Sequence, residues 1–191
     1  MNDVANAVMD AAERRMRSGG FNGFSFREIA EDVGVKSSSV HYHFPTKEKL
    51  AAAVVRRYTD RLGATIDEEL ACGADPYDVL SSSFRNTVHS ANRMCPITVL
   101  GAGSLDLPEE VAIEVQRFFR MCLDKLTGRG LSENEAAELL ATITGAMVVS
   151  AALGDLEVFD RATTDLVRSH VFHEASDFSH EASDSAVSLA G

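Results

Sequence analysis

Apolar residues recur along nearly the whole chain at spacings of three and four, the period of a helix with one buried face. Over residues 3–18, Val4, Ala7, Val8, Ala11 and Ala12 form one stripe. Arg14, Arg15 and Arg17 lie toward its C-terminal end, where cations suit the helix dipole. "GGFNGF" then breaks the helix. Ser25 opens a second helix with Glu28 three residues later, a capping-box spacing, and Phe26, Ile29, Ala30 and Val33 form its apolar side. Gly34 supplies a turn, and a short helix from about Lys36 to His43 follows, anchored by Val40. Pro45 and Thr46 mark a break and a new N-cap. In the next helix Leu50, Val54, Tyr58, Leu62, Ile66 and Leu70 recur every four residues, so one stripe runs on far past the first short elements.

"CGADP" ends that helix, and Asp75 caps another with Pro76 at its first position. It carries Val79, Leu80, Phe84 and Val88. "CPITVLGAGSLDLPEE" reads as a broken region with short helical potential, and its lone Gly-x-Gly lacks a phosphate-loop context. Pro108 and Glu109 open an amphipathic helix with Val111, Val115, Phe118, Phe119, Cys122 and Leu126. Ser132 and Glu135 form a second capping box. The helix behind it carries Leu139, Leu140, Ile143 and Met147 among small residues. A final helix is expected over 155–171. No strand pattern competes. The expected fold is all-α: a three-helix head over 1–48, a larger helical body over 49–171, and a tail over 172–191. The tail repeats "HEASD" at 173–177 and 180–184 and is too polar to form a core, so it is expected to be disordered.

Composition narrows the function. The longest uncharged run, 139–154, has 16 residues, short for a membrane span. The N-terminus has no apolar leader pattern, so a cytoplasmic protein without a membrane partner is expected. Three widely spaced cysteines give neither a disulfide framework nor a zinc motif, and no metal or other cofactor is expected. No nucleophile elbow, Ser/His/Asp spacing or phosphate loop points to an enzyme. The net charge of -11 argues against a generic nucleic-acid binder. It is unevenly spread, however. Residues 1–60 hold nine Lys/Arg and eight Asp/Glu, whereas the rest hold nine and 21. A near-neutral head on an acidic body is compatible with a small DNA-binding unit.

The head supplies a pattern for that role. Helix, glycine turn and short polar helix is the helix-turn-helix arrangement. Its second helix needs short or polar side chains where it approaches base edges, and Lys36, Ser37, Ser38 and Ser39 meet that need. Tyr42 and His43 fall toward the other end, where phosphate contacts are expected. Lys47 begins the next helix, where free N–H groups add to its charge. His41 and His43 are two apart and do not share a helix face, so a packing or DNA-facing role fits better than a metal pair.

The stretch "GFSFREIAEDVGVKSSSVHYHFPTKEKL" resembles the DNA-binding signature of the TetR family of transcriptional regulators. The resemblance covers about the first 55 residues. It implies a homodimer whose two heads read a palindromic double-stranded DNA operator, with a body that binds a small-molecule inducer. Ligand binding in such proteins moves the fourth helix and weakens operator binding. Carried over by position, Ser25, Lys47 and Tyr42 would contact phosphates, and Ser37, Ser38 and Ser39 fall where base contacts arise. His41 stands where the family more often has Tyr, and Ser38 where a small Gly or Ala is usual, so the operator sequence does not follow.

"CPITVLGAGSLDLPEEVAIEVQRFF" resembles a subgroup in which a cysteine opens the sixth helix, and some regulators of this kind sense electrophiles. Cys95 is thus a candidate sensor or a buried inert thiol. Phe84, His89, Met94, Cys95, Phe118, Cys122 and Met147 are the candidate ligand-binding residues, with Phe119 and Met121 of similar character. Core packing uses the same residue types. The helices near 132–153 and 155–171 are expected to pair with those of a second copy.

Overall fold

The computed structural model describes residues 3–90 and 94–164. Every regular element in it is helical. The head contains α1 (Asp3–Gly19), a 3-10 turn (Gly20–Gly23), α2 (Phe26–Val33) and α3 (Ser37–His43). The body contains α4 (Lys47–Ala71), α5 (Pro76–His89), α6 (Pro96–Ala102), a 3-10 turn (Ser104–Asp106), α7 (Glu109–Thr127) and α8 (Glu133–Leu153). A ninth helix, α9, covers 156–164 up to the end of the described residues, so the remainder of the expected 155–171 helix and the "HEASD" repeats lie outside them.

The capping residues act as their chemistry predicts. Ser25 Oγ accepts from the Glu28 N–H, Thr46 Oγ1 from Lys49, and Asp75 from Tyr77 and Asp78. Ser132 and Glu135 close a reciprocal box. α3 starts at Ser37 with Lys36 as its N-cap, one residue later than the pattern suggested. Gly34 ends α2 at a φ of 73°, a left-handed conformation that a side chain would strain, and this turn sets α3 across α2.

The buried side chains form one continuous cluster from Val8 and Ile29 through α4 to Phe118 and Ile143. α4 joins the two parts. Leu50 and Val54 are buried in the head, while Ile66 and Leu70 are buried in the body. In the lower body α7 lies alongside α4 and runs in the same direction, with Arg56 paired to Glu114 and Asp67 to Lys125 further along, and α8 packs on α7. α8 is long and apolar enough by length and composition to cross a membrane, yet only 39% of its apolar window is buried in the chain. Val148, Val149 and Leu153 face outward from its C-terminal half.

Candidate nucleic-acid interface and the body core

α3 is seated by one side chain. Val40 is fully buried, while Lys36, Ser37, Ser38, His41 and Tyr42 are exposed and Ser39 and His43 are half-buried. Tyr42, at 83% exposure, has the His43 ring beside it, 5.1 Å away edge to face. His41 remains exposed but rests edge-on against Phe26 at 4.6 Å, which fixes its position on the helix. A short helix held this way presents its polar side to whatever approaches.

Ser25 is exposed, but its hydroxyl is engaged. Oγ donates to Glu28 Oε2 at 2.8 Å while accepting the Glu28 N–H. A phosphate would receive this proton only after the hydroxyl rotates. Glu28 in turn pairs with Arg15 of α1, which also forks onto Asp32 at 2.6 and 3.0 Å. The Ser25 hydrogen bond holds the Glu28 carboxyl below its ordinary range, and the Arg15 hydrogen bond does the same for Asp32. These contacts brace α2 against α1.

Lys47, the first residue of α4, has its ammonium 4.6 Å from the Phe21 ring centroid and 4.8 Å from that of Phe24. Both distances suit cation–π attraction. Desolvation by these neighbours pushes its pKa down. Lys47 stands out in the sequence by its place at a helix start, whereas this cradle does not. The signal was present as two phenylalanines in "GGFNGF", which read only as a helix break.

The candidate ligand residues converge only in part. Tyr58, Phe84 and Phe118 form an aromatic cluster, with Phe118 6.1 Å from Tyr58 and 6.4 Å from Phe84. Phe118, Cys122 and Met147 are completely buried, and Phe84 nearly so. Cys95 is buried as the N-cap of α6, and its backbone N–H donates to Met147 Sδ at 3.2 Å. Burial pushes the Cys122 thiol up to about 12, so it stays protonated at neutral pH. Burial likewise raises the Tyr58 hydroxyl, which lies 3.5 Å from Thr87 Oγ1. Cys72, by contrast, is exposed.

Two candidates point elsewhere. His89 is exposed, its Nε2 3.2 Å from Asp160 on α9, where Arg85 also binds Asp160 and Thr163. Met94 is half-buried, and its carbonyl accepts from Arg17 at 2.6 Å. Open space appears on the other side of α7. A groove of about 550 Å³ lies between Gly101, Leu105 and the α7 residues Val115, Phe119, Arg120 and Leu123. A neighbouring one includes Ile113, Arg117 and Met121. Neither is lined by the seven candidates. Among the described residues, no group of three His, Cys, Asp or Glu side chains is placed to hold a metal ion.

A model of the bacterial regulatory proteins of the tetR family matches residues 8–54, from α1 into the first turns of α4. An uncharacterised helix-turn-helix-type transcriptional regulator of Mycobacterium tuberculosis is 31% identical over 85 residues, 44% of this chain and 42% of that protein. The helix-turn-helix-type transcriptional regulator RutR of Escherichia coli is 39% identical over 54 residues, 28% of this chain and 26% of its own. The matched part thus spans less than half the length of these curated relatives. The crystal structure of a TetR-family transcriptional regulator from Agrobacterium tumefaciens agrees over 86% of this chain and 96% of its own, with a TM-score of 0.79 and 29% identity. Residues 8–54 thus match the tetR family of bacterial regulatory proteins in sequence, and 86% of the chain shares the fold of a TetR-family transcriptional regulator.

Proposed function

We propose that the chain is a homodimeric DNA-binding transcriptional repressor, released from a palindromic operator when a small molecule or electrophile acts on its body. The observation that carries the DNA-binding part is α3. Its only fully buried side chain is Val40, and its exposed residues are short or polar where base edges would be met. In this reading Lys36, Ser37, Ser38, Ser39 and His41 face the major groove. Ser25, Tyr42, His43 and Lys47 meet phosphates on either side. Residues 1–48 form the DNA-binding unit, and the body beyond them serves ligand binding and dimerisation.

The outward face of α8 supports the dimer. Val148, Val149 and Leu153 are exposed on a helix whose mean hydropathy reaches 1.7. Such a face is covered in solution, and a two-fold axis along α8 and α9 would bury it in both copies. The two heads would then sit about one turn of DNA apart, roughly 34 Å. Footprinting on DNA from the protein's own upstream region tests this reading. Two protected half-sites with two-fold symmetry are expected. A single protected site, or uniform protection at all concentrations, contradicts it.

The body response rests on Cys95 and the aromatic cluster beside it. Cys72 is exposed and would react first, so the test belongs in a Cys72→Ser background. There, Cys95→Ser should abolish release of DNA by N-ethylmaleimide. Unchanged release removes Cys95 from the mechanism. The dense packing of Phe84, Phe118, Cys122 and Met147 favours one second reading, a regulator that binds DNA without a ligand response. Its mark would be an operator complex indifferent to metabolites and electrophiles alike.

A further inference from the structure

α6 meets the head chiefly through α1 and the turn that follows it, and much less through α4. Two contacts define this junction. At the start of α6, Arg17 Nη1 donates to the Met94 carbonyl, the residue before the Cys95 N-cap. The other terminal nitrogen donates to Glu13 at 2.8 Å, and the guanidinium lies 5.5 Å from the Tyr58 ring centroid. Only 12% of the Arg17 side chain is exposed. Little water can replace a lost partner there, so losing the Met94 carbonyl would leave a costly unpaired donor. In the middle of α6, Val99 lies against Gly20. A Cβ on Gly20 would stand 3.4 Å from Val99 Cγ1, and its φ of 59° already excludes most side chains.

The other side of the same turn faces the DNA-binding surface. Gly20 is followed directly by Phe21, whose ring, with that of Phe24, holds the Lys47 ammonium. The two ring faces hold the ammonium in place, so its position depends on theirs. One short segment therefore touches α6 on one side and a candidate phosphate contact on the other.

We propose that the end of α1 and the Gly20–Gly23 turn couple the body to the DNA surface: α6 grips this segment at Arg17 and Gly20, and the segment fixes Lys47 through Phe21 and Phe24. The inference rests on the DNA-binding reading above. It adds a route that does not depend on the fourth helix moving as a whole. A shift in the first turn of α6 withdraws the Met94 carbonyl from Arg17. The turn relaxes against Val99, and the Lys47 ammonium loses its fixed position. Glu13 widens the effect, because its carboxylate also receives Arg57 and Arg61 from α4.

The test is a double-mutant cycle between Arg17→Gln and Lys47→Ala, read by fluorescence anisotropy on DNA from the protein's own upstream region. Arg17 bonds Met94 and Glu13 while Lys47 sits on Phe21 and Phe24, so with no shared partner uncoupled effects multiply. The expected result is a loss of about tenfold for Lys47→Ala and about fivefold for Arg17→Gln, with less than about twofold added by Arg17→Gln once Lys47 is gone. Effects that multiply in full overturn the proposal. A second arm needs no DNA. In lysine-labelled protein, the Lys47 Hε resonances carry the ring-current shift of Phe21 and Phe24. Arg17→Gln and, separately, Val99→Ala should move them toward their position in Phe21→Leu, while Arg17→Lys, which can still donate to the carbonyl, should not. Resonances that stay in place in both Arg17→Gln and Val99→Ala overturn the coupling. If the unmodified protein binds no DNA, the DNA-binding reading fails, and this second arm decides the coupling by itself.

Discussion

In α3, one buried valine seats a helix that presents serines, a histidine and a tyrosine to solvent. Around Phe118, aromatic rings, thiols and a methionine close on one another, and the Tyr58 hydroxyl turns inward toward Thr87. The two regions differ in what their residue types reveal. A polar residue on a helix that needs little burial stands out, because nothing in folding requires it. An aromatic residue in the interior does not, because packing alone explains it. The head therefore declares its surface in its sequence, and the body keeps any ligand site within the composition of an ordinary core.

Four variants and a titration sharpen this contrast. The largest effect should come from the body. Phe118 is fully buried among Tyr58, Phe84 and Phe119, so Phe118→Ala should cost about 3–5 kcal/mol in urea unfolding. A cost under about 1 kcal/mol would mean that the site can open without penalty, which favours a true ligand cavity over a packed core. Next is Val149→Glu combined with Leu153→Glu on the α8 face. Placing two carboxylates at the proposed interface should convert dimer to monomer in sedimentation at micromolar concentration, with the helical signal retained. A dimer that survives places the interface elsewhere.

Lys47→Ala comes third. It should weaken binding about tenfold on every DNA sequence and lower the slope of log affinity against log salt by about 0.9, as for one lost phosphate contact. An unchanged slope contradicts a phosphate role. Ser132→Ala removes one partner of the capping box at the start of α8 and should cost about 1 kcal/mol by urea unfolding, with no change in DNA affinity.

The smallest effect is the titration of Glu13. Burial raises its carboxyl pKa, but the Arg17 hydrogen bond and the charges of Arg61, Arg17 and Arg57 outweigh this and hold it below the ordinary 4.5. A group with a lowered folded pKa adds stability above its unfolded value and loses it as pH falls through the folded one. Acidification from pH 5 downward should therefore destabilise the protein more than a Glu13→Gln variant. Equal acid profiles would show that the three arginines contribute nothing through this carboxylate. The effect is modest because Arg57 and Arg61 keep 23% and 56% of their side-chain exposure and are partly screened.

Much of the fold was legible because helix signals are local. The capping residues Ser25, Thr46, Asp75 and Ser132 all stand at helix starts, and the four-residue stripe of α4 is buried at Leu50, Val54, Tyr58, Ile66 and Leu70. Position on α3 was legible for the same reason. Contacts between distant segments were not. Arg17 reaches Met94 across 77 residues, and Lys47 rests on rings from a stretch that the sequence marks only as a break. His89 read as a possible pocket anchor because its partner, Asp160, lies 71 residues away. The Ser25–Glu28 capping box was legible, but the spacing does not say that the Ser25 hydroxyl spends its proton on the Glu28 carboxylate, where a phosphate would need it. Helix periodicity tells which face is buried, but not which element covers it.

The most direct test of the central claim is fluorescence anisotropy of the protein with DNA from its own upstream region, at low and at physiological salt, against excess competitor DNA. The account predicts binding that survives competitor and weakens steeply as salt rises. Equal affinity for random DNA, or affinity indifferent to salt, would contradict it.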